Sequence, residues 1–535
     1  MRGHRIATGE IAEGGPPRTE SSAWVAVDRA LCILFALATV LYLAAWPHDL
    51  FPADEGTFLY EAKRILDGEV IYRDFFEVIT PASLYAMAFL FRLFGASMDT
   101  ARLGMAAVHA LIVVTMYATC RRLGVRRSLA AATGLAHVAL CYPALPISSP
   151  HWVATLLTLI ILLMAVPRRS SHARLHAAAI GVVTGLLIAV QQQKGTVIAL
   201  GTGLILLFDS FFLNRRSRVH SPTTSPLLFL GGMVAVVVPM LIALLAAAGW
   251  KPVFDALIRH PFVYYTAYNR TTWGSYARYM PQYQVFPELI RYLPAIISAT
   301  LLRLVWISAR GSDHERTRQL IALGLIGLSS IGSVWYFPDY IRLAVVTPVF
   351  LILTAETLEA ALRRAEQIFP FFNRIALVIA CLLCLALPLQ AERNRQLRQQ
   401  LYPHSHLTAF GRVDFRNPIE ISLVDTIQGL LKEGAARDLF CYTSCPGLYL
   451  TTGTDNPTPY QLMIPGYNRP DQLAEVVHTL EARKVNLVVA IRVAIKQRDI
   501  DDPIWTYLVT HYEPVPIWPK PQFAYGLFRR KDATK

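Results

Sequence analysis

Between residues 29 and 389 the chain keeps repeating one pattern: an apolar run of about 17 to 24 residues, then a short polar turn. The runs are 29–46, 101–121, 127–145, 150–167, 175–191, 195–213, 226–249, 292–308, 318–337, 343–362 and 373–389. A stretch of that length matches the hydrocarbon thickness of a bilayer, so the pattern predicts about eleven membrane-spanning helices. The balance of the 535 residues agrees, with 54% hydrophobic and only 16% charged. A soluble globular fold is excluded on this ground.

The formal net charge of +14 would point to nucleic acid in a soluble protein. Here the basic residues sit in the turns: RRLGVRR (121–127), PRRSSHAR (167–174), NRRSR (214–218), ARGSDHERTR (309–318) and RRAEQIFPFFNR (363–374). They read as topology signals, with no nucleic acid partner. The positive-inside rule puts this set of turns in the cytoplasm and the alternate set, SSPHW (148–152), QQQKG (191–195) and PDYIR (338–342), outside. Segment 1–28 is then a disordered cytoplasmic tail, its first 23 residues rich in Gly, Pro, Glu and Ser. The first span reads as a retained anchor, since no small-residue cleavage site follows it. Outside lie two loops, within 47–100 and over 250–291, and the tail from 391. This parity makes 82–95 an interfacial or re-entrant helix, because counting it as a span would invert every later loop.

From 391 to 535 the composition turns soluble. Asp438–Thr443, Val485–Ile491 and Phe523–Phe528 read as strands, and Asp471–Lys484 and Asp501–Thr510 as helices. The expectation is an extracytoplasmic α/β domain with its own core. Cys441 and Cys445 lie in it, where an oxidising compartment permits a disulfide. The other five cysteines fall in apolar runs. Nowhere is there a nucleotide-binding glycine loop, which leaves nucleotide-sugar or ATP use without support.

Residues 52–81, PADEGTFLYEAKRILDGEVIYRDFFEVITP, are densely charged and directly follow the first span. Phe58, Leu59, Ala62, Ile65 and Leu66 follow helical spacing, with Glu61, Lys63 and Arg64 opposite, so Gly56–Leu66 should lie along the membrane surface. Asp54 and Glu55 open this helix. Acidic residues there either serve the helix terminus or act as a general base, and spacing alone leaves both open. Arg73, Asp74 and Glu77 either hold the loop as a local ion-pair set or bind a polar substrate.

The first span, the Asp54-Glu55 pair, EAKRILDGEVIYRDFFE, the following TP and the second short helix resemble the first external loop of the GT-C glycosyltransferases. Bacterial protein O-mannosyltransferases and lipid A aminoarabinose transferases are the nearest in pattern. The match is specific through 50–95, looser in the later helices and weak beyond 391. It implies GT-C architecture for an α-helical polytopic protein, placed in a bacterial inner membrane. It also implies an inverting glycosyltransferase that moves a sugar from a polyprenyl-phosphate donor to a lipid, glycan or protein acceptor in the cell envelope. Asp54 takes the position of the catalytic acid group, with Glu55 adjacent. These families often carry a second acidic motif at the next external turn; here that turn reads SSPHW, and His151 stands there instead. A metal site relying on that second carboxylate is thereby put in doubt.

Breaking a polyprenyl-phosphate sugar leaves extra charge on the phosphate, which needs fixed cations or a divalent metal ion. Lys194 in QQQKG and Arg342 in PDYIR are the candidates for the cations. Arg270 and Arg278, among the aromatics of 250–291, either belong to an interfacial belt or close over the donor. His109 and His137 read as packed core residues. A transporter or lipid flippase, which would need charge at the midplane and internal repeats, and a non-catalytic membrane scaffold are the alternatives in other classes.

Overall fold

The computed structural model describes residues 22–51, 53–166, 173–210, 224–268, 271–275, 292–310, 314–433, 436–443, 445–464, 466–491, 502–517 and 525–534. The apolar runs fold as helices: α1 (Ser22–Ala44), α4 (Met98–Arg122), α5 (Arg127–Ala136), α6 (Pro150–Ala165), α7 (Ala173–Val190) and α8 (Gln192–Phe208). They continue with α9 (Thr224–Ala248), α10 (Leu293–Arg310), α11 (His314–Gly332), α12 (Tyr340–Ile368) and α13 (Phe372–Leu401). Two shorter helices, α2 (Asp54–Leu66) and α3 (Ala82–Phe94), lie between α1 and α4.

Among the described residues, five helices are long and apolar enough to cross a bilayer, namely Val25–Ala44, Met98–Arg122, Ser225–Ala248, Tyr340–Ile368 and Phe372–Leu401. Eleven such spans were expected from the runs. The run 127–145 shows the reason for the difference. Its α-helix stops at Ala136, widens into one π-turn at His137–Cys141 and tightens at Tyr142–Ala144, where Pro143 removes a donor. α5 is packed inside the bundle, with Leu129, Ala130, Ala132 and Ala136 buried, where length need not match the lipid. The chain is an integral membrane protein.

Residues 22–28, expected in a disordered tail, are helical. Asp28 fixes them, accepting from Tyr117 Oη at 2.7 Å and from Arg127 Nε at 2.8 Å. At 13 residues α3 spans about 20 Å and cannot cross a 30 Å core. It buries Leu84, Met87 and Phe91 and exposes Phe89, Leu93 and Phe94, as an interfacial helix should.

α2 begins where acidic side chains suit a helix N-terminus, at Asp54 and Glu55, and ends on Lys63 and Arg64. Gly68, at φ +97°, stops it, with Gly68 N–H donating to Ile65 O and Glu69 N–H to Arg64 O. Its charged face does not rest at a membrane surface. Glu61 is 1% exposed and Arg64 6%. The cover is the C-terminal part of the chain: Arg64 Nη1 donates to Gln461 Oε1 at 3.1 Å, and Asn456 N–H donates to Tyr60 Oη at 2.8 Å. Long-range pairs of this kind leave no trace in helical periodicity.

The C-terminal segment starts later than composition suggests, because α13 runs on through 391 to Leu401. Asn394 Nδ2 donates to Ala139 O at 2.8 Å, and Arg398 pairs with Asp49. An antiparallel hairpin follows, β1 (His404–Thr408) and β2 (Gly411–Phe415), then α14 (Pro418–Lys432). A four-stranded sheet has β3 (Leu439–Tyr442) parallel to β4 (Leu487–Ile491). β6 (Tyr525–Arg530) is antiparallel to both β4 and β5 (Tyr512–Val515). Helices α15 (Gly447–Thr452), α16 (Pro470–Ala482) and α17 (Pro503–His511) complete it. Cys441 and Cys445 are joined as a disulfide.

The sheet's two faces go to different cores. Leu439, Cys441, Leu487 and Val489 join the core that runs through α2, α4 and α12. Phe440, Tyr442, Val488 and Ala490 pack with Leu480, Ile504 and Leu508 in a separate cluster. Strand alternation therefore makes one face the lid of the bundle and the other a local core. At the joint, a Cβ on Gly56 would meet Gly447 N at 2.3 Å and Cα at 2.7 Å. Gly56→Val should therefore force α2 off α15, costing about 1–3 kcal/mol by overpacking. The check is a lower thermal midpoint in detergent together with faster proteolysis within 404–530.

Candidate active site

The N-termini of α2, α6, α8 and α12 meet beneath residues 250–268 and 271–275. At α2, Glu55 is fully buried and spends its whole acceptor capacity on fixed partners. Arg102 Nη1 and Nη2 donate to it at 2.5 and 3.1 Å, Ser148 N–H at 2.6 Å and Phe51 N–H at 3.2 Å. Glu55 is thus an anchor of α2 on α4 and the 148–150 turn, and the structure gives it no opening to a substrate.

Successive helical residues point about 100° apart, so tying Glu55 inward aims Asp54 elsewhere. Asp54 is solvent-accessible, and among the described residues its carboxylate has no hydrogen-bond partner. Protein nonetheless surrounds it closely. That burial pushes its carboxyl above the ordinary aspartate value, and the charge of Arg342 pulls the other way.

Arg342, in the first turn of α12, is locked in place. Its Nη1 donates to Asp339 Oδ2 at 2.9 Å and its Nη2 to Tyr265 Oη at 2.7 Å, while the guanidinium stacks 3.9 Å over the Phe337 ring. Tyr265 arrives from residues 250–268, and residues 271–275 are pinned to α12 by Tyr340 N–H donating to Ser275 O at 3.0 Å.

α7 and α8 are joined by a single extended residue, Gln191, at which the chain turns back on itself. The reversal is tight: a Cβ on Gly195 would stand 2.5 Å from Ile188 Cα, so glycine is required there. The break frees the glutamines for other partners. Gln191 Nε2 donates to His151 Nδ1 at 3.1 Å, and Gln192 takes Thr80 N–H at 3.0 Å and gives Nε2 to Val78 O at 2.7 Å. The charged loop is thereby docked on the start of α8. Lys194 lies at this break, 3% exposed, donating to Thr155 Oγ1 at 3.1 Å. Among the described residues no carboxylate pairs with it. Lys194 and Arg342 both act electrostatically on His151, which puts the three in one neighbourhood.

The remaining candidates divide. Arg73 is half exposed and grips its neighbour Asp74 at 2.8 and 2.9 Å, while Asp74 takes Val70 N–H at 2.7 Å. These two fold the loop rather than face the recess. Glu77 does reach inward. It lines a small cavity of about 60 Å³ with Thr57, Glu61, Tyr460, Gln461 and Tyr467. Burial first, and then the charge of the Glu77 carboxylate, hold Glu61 well above the ordinary glutamate range. Glu61 follows Asp54 by two helical turns, a spacing visible in the sequence. Tyr467, from the C-terminal segment, contacts the Tyr265 and Tyr268 rings at 5.8 and 5.7 Å, and nothing in the sequence announced it. Arg270 and Arg278 lie outside the described residues. His109 and His137, 3.0 Å apart, stay buried against Trp152.

Among the described residues no three His, Cys, Asp or Glu side chains gather as metal ligands, and His151 spends Nδ1 on Gln191. This donor set does not fit a divalent ion, and the cationic side chains at the recess are Lys194 and Arg342.

No family model matches the chain, and no curated protein matches it. Solved structures do. ArnT from Cupriavidus metallidurans bound to undecaprenyl phosphate aligns with TM-score 0.58 at 15% identity, covering 95% of this chain and 98% of that one. The apo state of the same protein aligns with TM-score 0.56 at 14% identity over the same shares. The fold is GT-C-like, the class that the 50–95 segment resembles.

The two acidic neighbours should respond oppositely to substitution. Glu55→Ala strands Arg102 as a buried charge and should cost about 3–5 kcal/mol. Asp54 has a raised folded pKa, so the folded state gains stability as pH falls through that value and loses it as pH rises. Asp54→Asn removes the penalty, and its thermal midpoint should exceed that of the wild type by a gap that grows from acid to neutral pH. Unfolding curves of both variants across a pH series check this.

Proposed function

We propose that the protein is a polyprenyl-phosphate-dependent glycosyltransferase that inverts the anomeric centre. One observation carries the reading: a buried lysine that among the described residues has no carboxylate partner, beside a locked arginine and across the recess from an open carboxylate. A buried cation is retained against its desolvation cost when an anion comes to it. The GT-C-like fold and the undecaprenyl phosphate held by ArnT support a lipid phosphate as that anion.

In the reaction, Asp54 accepts the proton of an acceptor hydroxyl. The acceptor oxygen attacks the anomeric carbon from the face opposite the phosphate. The bond from that carbon to the phosphate oxygen breaks, and its electrons leave on the phosphate. Lys194 and Arg342 stabilise the added negative charge. The burial that raises Asp54 brings its proton affinity closer to that of a useful base at neutral pH. His151 positions this end of the site through Gln191. Glu77, with Glu61 and Tyr467, offers carboxyl and phenol groups to sugar hydroxyls, whereas Arg73 and Asp74 shape the loop and Glu55 orients Asp54. The segment from 404 onward roofs the recess and is suited to selecting a lipid, glycan or protein acceptor. The site would open outside the cytoplasm of a bacterial inner membrane, with the N-terminus inside.

Transfer from a panel of radiolabelled polyprenyl-phosphate sugars to membrane extracts tests this. Asp54→Asn should lower kcat at least about 10²-fold without loss of fold. Lys194→Ala and Arg342→Ala should weaken donor use. The acid limb of the wild-type rate profile should lie above the ordinary aspartate range, with activity rising as Asp54 loses its proton. Equal transfer by wild type and Asp54→Asn would remove Asp54 as the base. A folded wild type that uses no donor would remove the enzyme reading.

A further inference from the structure

A second charged cavity lies at the far ends of the helices that build the Asp54 site. α4 runs 25 residues from Met98 to Arg122, about 37 Å, which is the depth of a bilayer core and its edge. α12 runs the same way from Arg342 to its last turn. At that end a cavity of about 880 Å³ is walled by Arg122, Arg303, Arg316, Arg363 and Arg364. Three carboxylates share the wall, Glu315, Glu356 and Glu359, which leaves two positive charges in surplus.

Two of those carboxylates are each divided between guanidiniums. Glu356, 1% exposed, takes Arg303 at 2.6 Å and Arg316 as well, and Glu359 takes Arg126 at 2.9 Å and Arg363 at 2.8 Å. Arg363 gives Nε to Glu359 and Nη2 to Gly124 O, and a guanidinium has five N–H donors, so among the described residues its other N–H groups remain for a ligand. Arg364 is exposed and donates to a neutral group, Gln367 Oε1, at 3.2 Å. The cavity thus keeps donors and positive charge for an incoming anion. Beside it, α10 turns Leu302, Val305 and Trp306 outward, each at least 60% exposed, although Arg303 between them faces the cavity. An apolar strip with an exposed tryptophan next to a cationic cavity fits acyl chains below and a headgroup above.

We infer that this cavity binds the phosphate headgroup of an anionic phospholipid from the membrane face opposite Asp54, with its chains along α10. Arg363 and Arg364 receive the phosphate at the rim, and the Glu356 triad fixes the wall behind. The site is independent of the transfer chemistry.

The purified full chain in detergent is titrated with phosphatidylglycerol, with phosphatidylcholine of the same acyl chains, and with glycerol 3-phosphate, and bound ligand is counted by native mass spectrometry. Phosphatidylglycerol should be retained over phosphatidylcholine, and Arg364→Gln should reduce its retention about five-fold. Arg363→Gln combined with Arg364→Gln should abolish the preference. The corresponding lysine variants, which keep the charge, should preserve it. Arg364→Gln is a surface change, so an unaltered thermal midpoint certifies its fold. Equal retention of both lipids, or unchanged phosphatidylglycerol retention in the double variant, would overturn the inference. Glycerol 3-phosphate binding as tightly as the lipid would overturn the lipid assignment in favour of a soluble phosphate.

Discussion

The pair between Arg102 of α4 and Glu55 of α2 is the constraint on which the recess depends. It is buried on both sides, and two backbone N–H groups complete the carboxylate's shell. Ion pairs of this kind add little net stability over an apolar replacement, yet losing one partner is costly. What the pair supplies is direction. It fixes the rotation of α2, so that the adjacent Asp54 meets the recess and the Arg342 side of α12. Arg102 also reaches Asp49 O, and Asp49 holds Arg398 of α13, so the same knot ties the end of α1 to the last long helix.

Around that knot the polar groups are sorted by partner. Asp28, Asp49, Glu55, Glu356 and Glu359 all have arginines and do structural work at helix ends. Asp54 and Lys194 stand apart, since among the described residues neither has an ion-pair partner of its own. In a low-dielectric setting such groups are costly to keep, and that cost is the ground on which we propose a charged ligand there. Arg342 is intermediate: paired with Asp339, it is held rigid and keeps its field on the recess.

The roof follows the same economy of contacts. The C-terminal sheet lends one face to the bundle core and keeps the other for itself, so the segment cannot shift without opening both. Its approach is set by backbone at Gly56 and Gly447 and by the Arg64 hydrogen bonds. Tyr467 is carried into the aromatic group of His260, Tyr265 and Tyr268 by that docking.

The apolar runs determined helices in a membrane, and the DE pair marked the start of the short helix that follows the first of them. Local patterns suffice for those, because periodicity and composition report burial and helix ends directly. Which of Asp54 and Glu55 turned inward was open, since both suit a helix N-terminus and only Arg102, 47 residues away, separates their roles. Likewise YRDFFE gave no sign that Asp74 would cap the loop while Glu77 faced Glu61. The burial of Arg64 under Gln461, almost four hundred residues later, was beyond any local reading. Sequence records what each residue can pair with, and only the packed chain decides which of the available partners comes within reach.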